Sequence, residues 1–227
     1  MGEEMKKLQN FILFLTFIIL FILCFCSVKK VVASINEKIV HIYLDAGHGG
    51  FDGGAISSDK KIIEKDITLR VCECLKVYLE KTGIKVSMTR STDQALAKKK
   101  RDDILKRVEL INKSNCDIYI SIHANSYPSA SIKGAQTFYN PNNDDNKLLA
   151  SRIMKYIYMF DSTNKRTEKS ITGKYLVDHT NKIGCLVELG FLTNKQDLAI
   201  LTSDEKLSRL SLMIYLGILD YLEGISS

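Results

Sequence analysis

The chain's clearest chemical signals are two histidines, His48 and His123, each closing an apolar run. Ile42-Tyr-Leu-Asp-Ala leads to His48, which stands among Gly47, Gly49 and Gly50, and Asp117-Ile-Tyr-Ile-Ser-Ile leads to His123. Glycines around a histidine let the backbone come close to whatever the imidazole touches. Glu64 ends a Gly- and Ser-rich loop just before a helical pattern, and so faces the same way. Two imidazoles and a carboxylate are the protein ligands of a catalytic zinc, with the fourth position left for water whose pKa falls towards about 7. His48, Glu64 and His123 are that candidate set. A general base is also needed, and Glu188, at the end of Cys185-Leu-Val, is the candidate: partial burial raises a carboxylate's pKa towards the working range. Each residue has a plainer alternative. His48 suits a turn, His123 a hydrogen-bonded core, Glu64 an exposed helix start, and Glu188 a salt bridge. His41 and His179 read as structural or exposed.

The elements that must position these residues follow from periodicity. Strands are expected over Ile39 to Leu44, Ile84 to Thr89 and Asp117 to His123. Between them lie a helix capped by Asp66 and stopped at Gly83, and another opened by Asp102 or Asp103. This βαβαβ order predicts one α/β domain with a mostly parallel sheet of about six strands flanked by helices. At the carboxyl ends of neighbouring parallel strands, His48 and His123 converge on one crevice. Further on, the expected elements are a strand over Gly134 to Tyr139, an amphipathic helix over Lys147 to Phe160, a polar surface loop from Asp161 to Thr172, and a short strand over Tyr175 to Val177. A buried strand over Ile183 to Leu189 follows, and a capping box at Thr202-Ser-Asp-Glu205 opens a last helix to about Leu222.

With 227 residues, 45% hydrophobic and two prolines, the chain can bury one full core, which excludes a disordered protein. Lys6 and Lys7 precede the apolar run Phe11 to Val28, and Lys29-Lys30 follow it. At about 1.5 Å per residue such a run just crosses a bilayer core. Residues 1–33 are therefore expected to be a membrane segment, as a signal anchor or as a signal peptide cleaved after Val31-Val-Ala33, and residues 34–227 the catalytic domain. Cys72, Cys74, Cys116 and Cys185 read as core residues and not as a disulfide framework. The net charge of +6 fits an acidic wall polymer or anionic lipid, but Lys98-Lys-Lys-Arg-Asp-Asp103 reads as a solvated helix start, and nucleic acid is not an expected partner.

Five blocks then narrow the reading: Leu44-Asp-Ala-Gly-His-Gly-Gly50, Glu64-Lys-Asp-Ile-Thr-Leu69, Met88-Thr-Arg90, Ser121-Ile-His-Ala-Asn125 and Val187-Glu-Leu-Gly-Phe-Leu-Thr-Asn194. Together they resemble the zinc-dependent N-acetylmuramoyl-L-alanine amidases of bacterial autolysins and division amidases, from about Ile39 to the C-terminus. That resemblance implies zinc on His48, Glu64 and His123, Glu188 as the catalytic glutamate, and Asn125 and Arg90 as candidates for substrate contact. It implies cleavage between the lactyl group of muramic acid and L-alanine of the stem peptide. Ala46 departs from the family, where proline is common, without changing a chemical group. The short membrane segment, Gly173-Lys-Tyr-Leu and the lack of wall-binding repeats resemble the germination-specific branch of spore formers. That branch implies a role in spore-cortex maturation through muramic-δ-lactam, outside the cytoplasm at the forespore envelope, with an accessory or activator protein as a possible partner. The short polar stretch Asp161 to Thr172 predicts no internal helix plugging the site. A zinc peptidase acting within the stem peptide, or a catalytically silent wall-binding protein, remains open.

Overall fold

The structure is a computed structural model that describes residues 39–226 together with Thr16 and Ile18. Apart from those two positions, the expected membrane segment lies outside the described residues. Among the described residues no helix is long and apolar enough to cross a membrane. The domain is a compact unit spanning Val40–Ser227.

In chain order the elements are β1 (His41–Ala46), α1 (Glu64–Lys81), β2 (Lys85–Met88), α2 (Lys100–Lys113), β3 (Ile118–Asn125) and β4 (Gln136–Tyr139). They continue as α3 (Asp144–Phe160), β5 (Lys169–Ser170), α4 (Tyr175–His179), β6 (Ile183–Phe191), α5 (Lys195–Leu201) and α6 (Asp204–Ser226). One six-stranded sheet runs in the order β2-β1-β3-β6-β4-β5. β1 pairs in parallel with β2 and β3, β3 in parallel with β6, and only β4 against β6 is antiparallel. The expected mostly parallel α/β sheet is thus what the chain forms.

Strand alternation assigns the two faces. Ile42, Leu44, Ile118, Ile120, Ile122, Cys185 and Val187 belong to the larger core, with Ile67, Val71, Leu75 and Leu79 of α1, Leu149 and Ile153 of α3, and Leu210, Ile214 and Ile218 of α6. Tyr43 and Tyr119 instead join Val108 and Ile111 of α2 and Leu176 of α4 in a smaller cluster. Asp45, Ser121, His123 and Glu188 share the parity of this second face, which is the less covered one. From β1 the chain steps to β2 on one side and then returns to β3 on the other, so a topological switch point lies between β1 and β3. Their carboxyl ends flank the crevice that such a reversal leaves.

Several boundaries differ from expectation. Helix α1 begins at Glu64 with Ile63 as its N-cap, so Asp66 sits in the first turn and does not cap. Tyr175 to Val177 is helical, in α4; a run of three apolar residues carries no period that separates strand from helix. The sixth strand is instead Lys169–Ser170, inside the stretch expected to be a plain loop. There Asn164 is buried, donating to the Ala135 carbonyl, and Arg166 lies over the Phe191 ring. Helix α5 was absent from the expected elements; Asn194 caps it by accepting from the Gln196 and Asp197 amides. Thr202 is the C-cap of α5, and the cap of α6 falls to Ser203, whose Oγ accepts from Lys206 N–H at 3.4 Å. Cys72, Cys74, Cys116 and Cys185 are free thiols, all but Cys74 buried.

Candidate metal centre

His48, Glu64 and His123 come together from three separate elements, the turn after β1, the first residue of α1 and the end of β3, with their donor atoms all within 4.8 Å of one another. His48 Nε2 lies 3.2 Å and His123 Nδ1 2.9 Å from Glu64 Oε1. The local backbone explains the convergence. His48 adopts φ 62, a left-handed conformation uncommon outside glycine, and such outliers cluster at functional sites. Gly47 is required because a Cβ there would stand 2.4 Å from the His123 ring, and Gly54 because its Cβ would stand 2.4 Å from Glu64 Oε2. The glycines seen in sequence therefore serve the close packing of the three side chains.

Two of the three candidate ligands are oriented by a further group. His48 Nδ1 meets Asp52 Oδ2 at 2.8 Å, which leaves Nε2 facing Glu64. Asp52 in turn is paired with Lys100 at 3.2 Å. Carboxylate–histidine pairs of this kind fix ring orientation in metal sites. Glu64 accepts from the Ala55 amide at 2.7 Å and the Ala124 amide at 3.0 Å. Burial opposes its charge, but the hydrogen bonds from His123 and His48 prevail, and Glu64 is held well below the ordinary carboxylate range. Burial likewise opposes charge on His123, yet the Glu64 hydrogen bond raises its pKa. The donor set fits a divalent cation: the buried Glu64 carboxylate favours positive charge at this point, and two nitrogens with a carboxylate oxygen suit zinc.

Below the turn lies a buried charge network. Asp45 is fully buried and accepts from Thr89 Oγ1 at 2.9 Å, Ser121 Oγ at 2.6 Å and Arg107 Nη1 at 2.8 Å. Arg107 also donates to Asp103, to the Ala46 carbonyl at 2.6 Å and to the His48 carbonyl at 2.5 Å. Asp103 lies within the charge run expected to be solvated; it and Arg107 are instead buried against this network. Arg90 is a correction too. It is 2% exposed and donates to the carbonyls of Ala46, Gly47 and Lys65 and to Thr68 Oγ1, so it braces the turn from within and does not face a substrate.

A cavity of about 310 Å³ opens beside the cluster, lined among others by Asn125, Lys174, Leu176 and Glu188. Asn125, the other candidate for substrate contact, does border this space. Glu188 is the register partner of His123 across the β3–β6 pair, and its Oε2 is buried without a hydrogen-bond partner among the described residues. Such an orphaned oxygen in a cavity wall has a reason to be kept. Burial pushes the Glu188 carboxyl up and Glu64 adds to the rise, against the pull of His123, Lys174 and His48. The ladder is irregular between His123 and Asn125, beside these residues. Sequence reasoning missed Asp52, Asp45, Arg107 and Lys174; the i,i+4 spacing of His48 and Asp52 was the one available signal.

If the three side chains hold the metal, His48→Ala and His123→Ala should each lower bound zinc from about one per chain to a small fraction, read by elemental analysis of purified protein. Unchanged metal in both variants would remove them as ligands. Because ligands must shed their protons, occupancy should also fall as pH drops.

A family model described as N-acetylmuramoyl-L-alanine amidase matches residues 42–220. The germination-specific N-acetylmuramoyl-L-alanine amidase of Bacillus subtilis is 39% identical over 188 residues, covering 79% of this chain and 78% of that protein. The CwlD amidase of Clostridioides difficile, solved in complex with the GerS lipoprotein, superposes with a TM-score of 0.78 at 35% identity, over 82% of this chain and 99% of that one. The amidase AmiC2 of Nostoc punctiforme gives a TM-score of 0.73 at 28% identity, over 81% and 97%. On the match across nearly the whole domain, the chain belongs to the N-acetylmuramoyl-L-alanine amidase family.

Proposed function

We propose that this chain is a zinc-dependent N-acetylmuramoyl-L-alanine amidase that hydrolyses the amide between the lactyl group of muramic acid and L-alanine, in maturation of the spore cortex. The observation that carries the reading is Glu188, a residue with one buried and unpartnered carboxylate oxygen, lining the same cavity as the His48, Glu64 and His123 cluster. His48, Glu64 and His123 would hold zinc, which would supply Lewis acidity to the scissile carbonyl and make water easier to deprotonate. Glu188, raised in pKa by burial, takes the proton from the attacking water and returns it to the alanine nitrogen as the C–N bond breaks. A lactyl carboxylate and a free α-amine result. Asp52 keeps His48 in the orientation that presents Nε2, and the apolar walls Leu176, Val177 and Leu186 limit bulk water around the reacting amide.

The spore role is supported by the identity to the germination-specific relative, and an accessory protein by the lipoprotein bound to the C. difficile amidase. The apolar run Phe11 to Val28 with its lysine flanks supports translocation of the domain across the membrane, with the domain either anchored at its outer face or released from it. Mass spectrometry of digested peptidoglycan tests the reaction. Glycan with free lactyl ends and released stem peptides is the expected result. New ends within the stem peptide would make the protein a peptidase, and unchanged peptidoglycan despite full zinc occupancy would make it a binding protein.

A further inference from the structure

The cavity beside the metal cluster has three cations in its walls, and their partners differ. Lys100 is committed to Asp52 at 3.2 Å. Arg107 is consumed by Asp45, Asp103 and two backbone carbonyls, and is 3% exposed. Lys174 is exposed, and among the described residues its ammonium has neither an ion pair nor a hydrogen bond. It stands just before α4, whose Leu176 and Val177 are anchored in the protein, so its backbone is fixed while its charge is not. A lysine in a catalytic cavity wall with no protein partner has its positive charge available to a ligand.

The substrate class supplies a matching charge. In a stem peptide that begins with L-alanine, the next residue is joined through its γ-carboxyl, so a D-glutamyl α-carboxylate is left free a few bonds from the cleaved amide. We propose that Lys174 is a specificity-determining residue that pairs with this α-carboxylate and so selects stem peptides whose second residue is an acid over those in which it is an amide. The inference rests on the amidase reading above and adds to it which part of the peptide is read. The asymmetry among the three cations gives it its location: an anion entering the cavity displaces no existing partner at Lys174, whereas at Lys100 or Arg107 it competes with buried or half-buried carboxylates.

The experiment uses the full chain with zinc bound and two uncrosslinked glycan-strand preparations, one with the D-glutamyl α-carboxylate free and one with it as carboxamide. The wild type should favour the acid in kcat/KM by roughly three- to tenfold, carried mainly by KM, as for a partly solvated ion pair, and the preference should shrink as salt rises. Lys174→Met should bring the ratio near one, Lys174→Glu should reverse it, and Lys174→Arg should keep it. Equal slowing of both substrates by Lys174→Met would assign the charge to the reacting carbonyl or to Glu188 and overturn the proposal, as would a wild type without preference. If the wild type cleaves neither strand at the lactyl amide, the amidase reading fails and this inference with it; cleavage without acid preference sinks the inference alone.

Discussion

Glu188→Gln should lower turnover by roughly 10²- to 10⁴-fold while zinc content and the fold stay as in the wild type. Glutamine keeps the shape of the side chain but cannot accept a proton. The Glu188 Oε2 atom has no hydrogen-bond partner among the described residues, so the substitution breaks no contact there and its effect reports on chemistry alone. Single-turnover rates and elemental analysis on the same preparation are the measurement. Zinc lost together with activity would make Glu188 a ligand or a prop, and near-normal turnover would take it out of the mechanism.

Glu64→Gln is the matched control, because the chemical change is identical and only the position differs. Glu64 touches both imidazoles and accepts from the Ala55 and Ala124 amides. An amide is a poorer zinc ligand than a carboxylate, and one turned to offer its oxygen to the metal presents its NH₂ to a backbone N–H. This variant should therefore fail first in metal retention, visible as a lower chelator concentration needed to strip it. A common failure in both variants would mean that the two carboxylates do not divide the work.

How much of this was legible in the sequence depended on whether a residue's role is written in its own neighbourhood. His48, His123 and Glu188 follow apolar runs that form parallel strands, and the crevice at a switch point then brings them together by topology. Glu64 was legible from the loop-to-helix change just before it. Arg107 was not, because its partners are Asp45, 62 residues away, and the His48 carbonyl, and a charge run looks the same whether solvated or folded against a buried acid. Arg90 was misread for the same reason: its type suggests an anion contact, and only the fold reveals five protein acceptors around it at Ala46, Gly47, Lys65, Thr68 and Thr92. Helix α4 was lost to brevity, five residues with no period to read, and α5 to a cap at Asn194 that also reads as an ordinary turn.

Arg107→Met should destabilise the domain by about 3–5 kcal/mol, since it strips the cation from between two buried carboxylates and leaves both in place. Asp45 is fully buried and Asp103 is 6% exposed, so neither can recover its hydration without opening the structure. Methionine fills much of the arginine volume, and the loss is therefore electrostatic more than steric. Burial works against the Asp45 charge, but Arg107 leads the groups that hold its pKa below the ordinary value. A depressed carboxylate pKa contributes stability that is complete above the unfolded value near 4 and is lost as pH falls through the folded one. The wild type should thus lose stability below about pH 4, whereas in Arg107→Met this acid loss should diminish, because Asp45 no longer gains from staying charged. Denaturant titrations of both proteins at pH 7 and at a pH below about 4 measure the two quantities together. A difference that is large at pH 7 and contracts at the acid value is expected; equal differences at both values would show that packing, and not charge, holds Arg107 under the His48 turn. Because the same guanidinium binds the carbonyls of Ala46 and His48, the folded variant should also hold zinc less tightly, which links the buried network to the site above it.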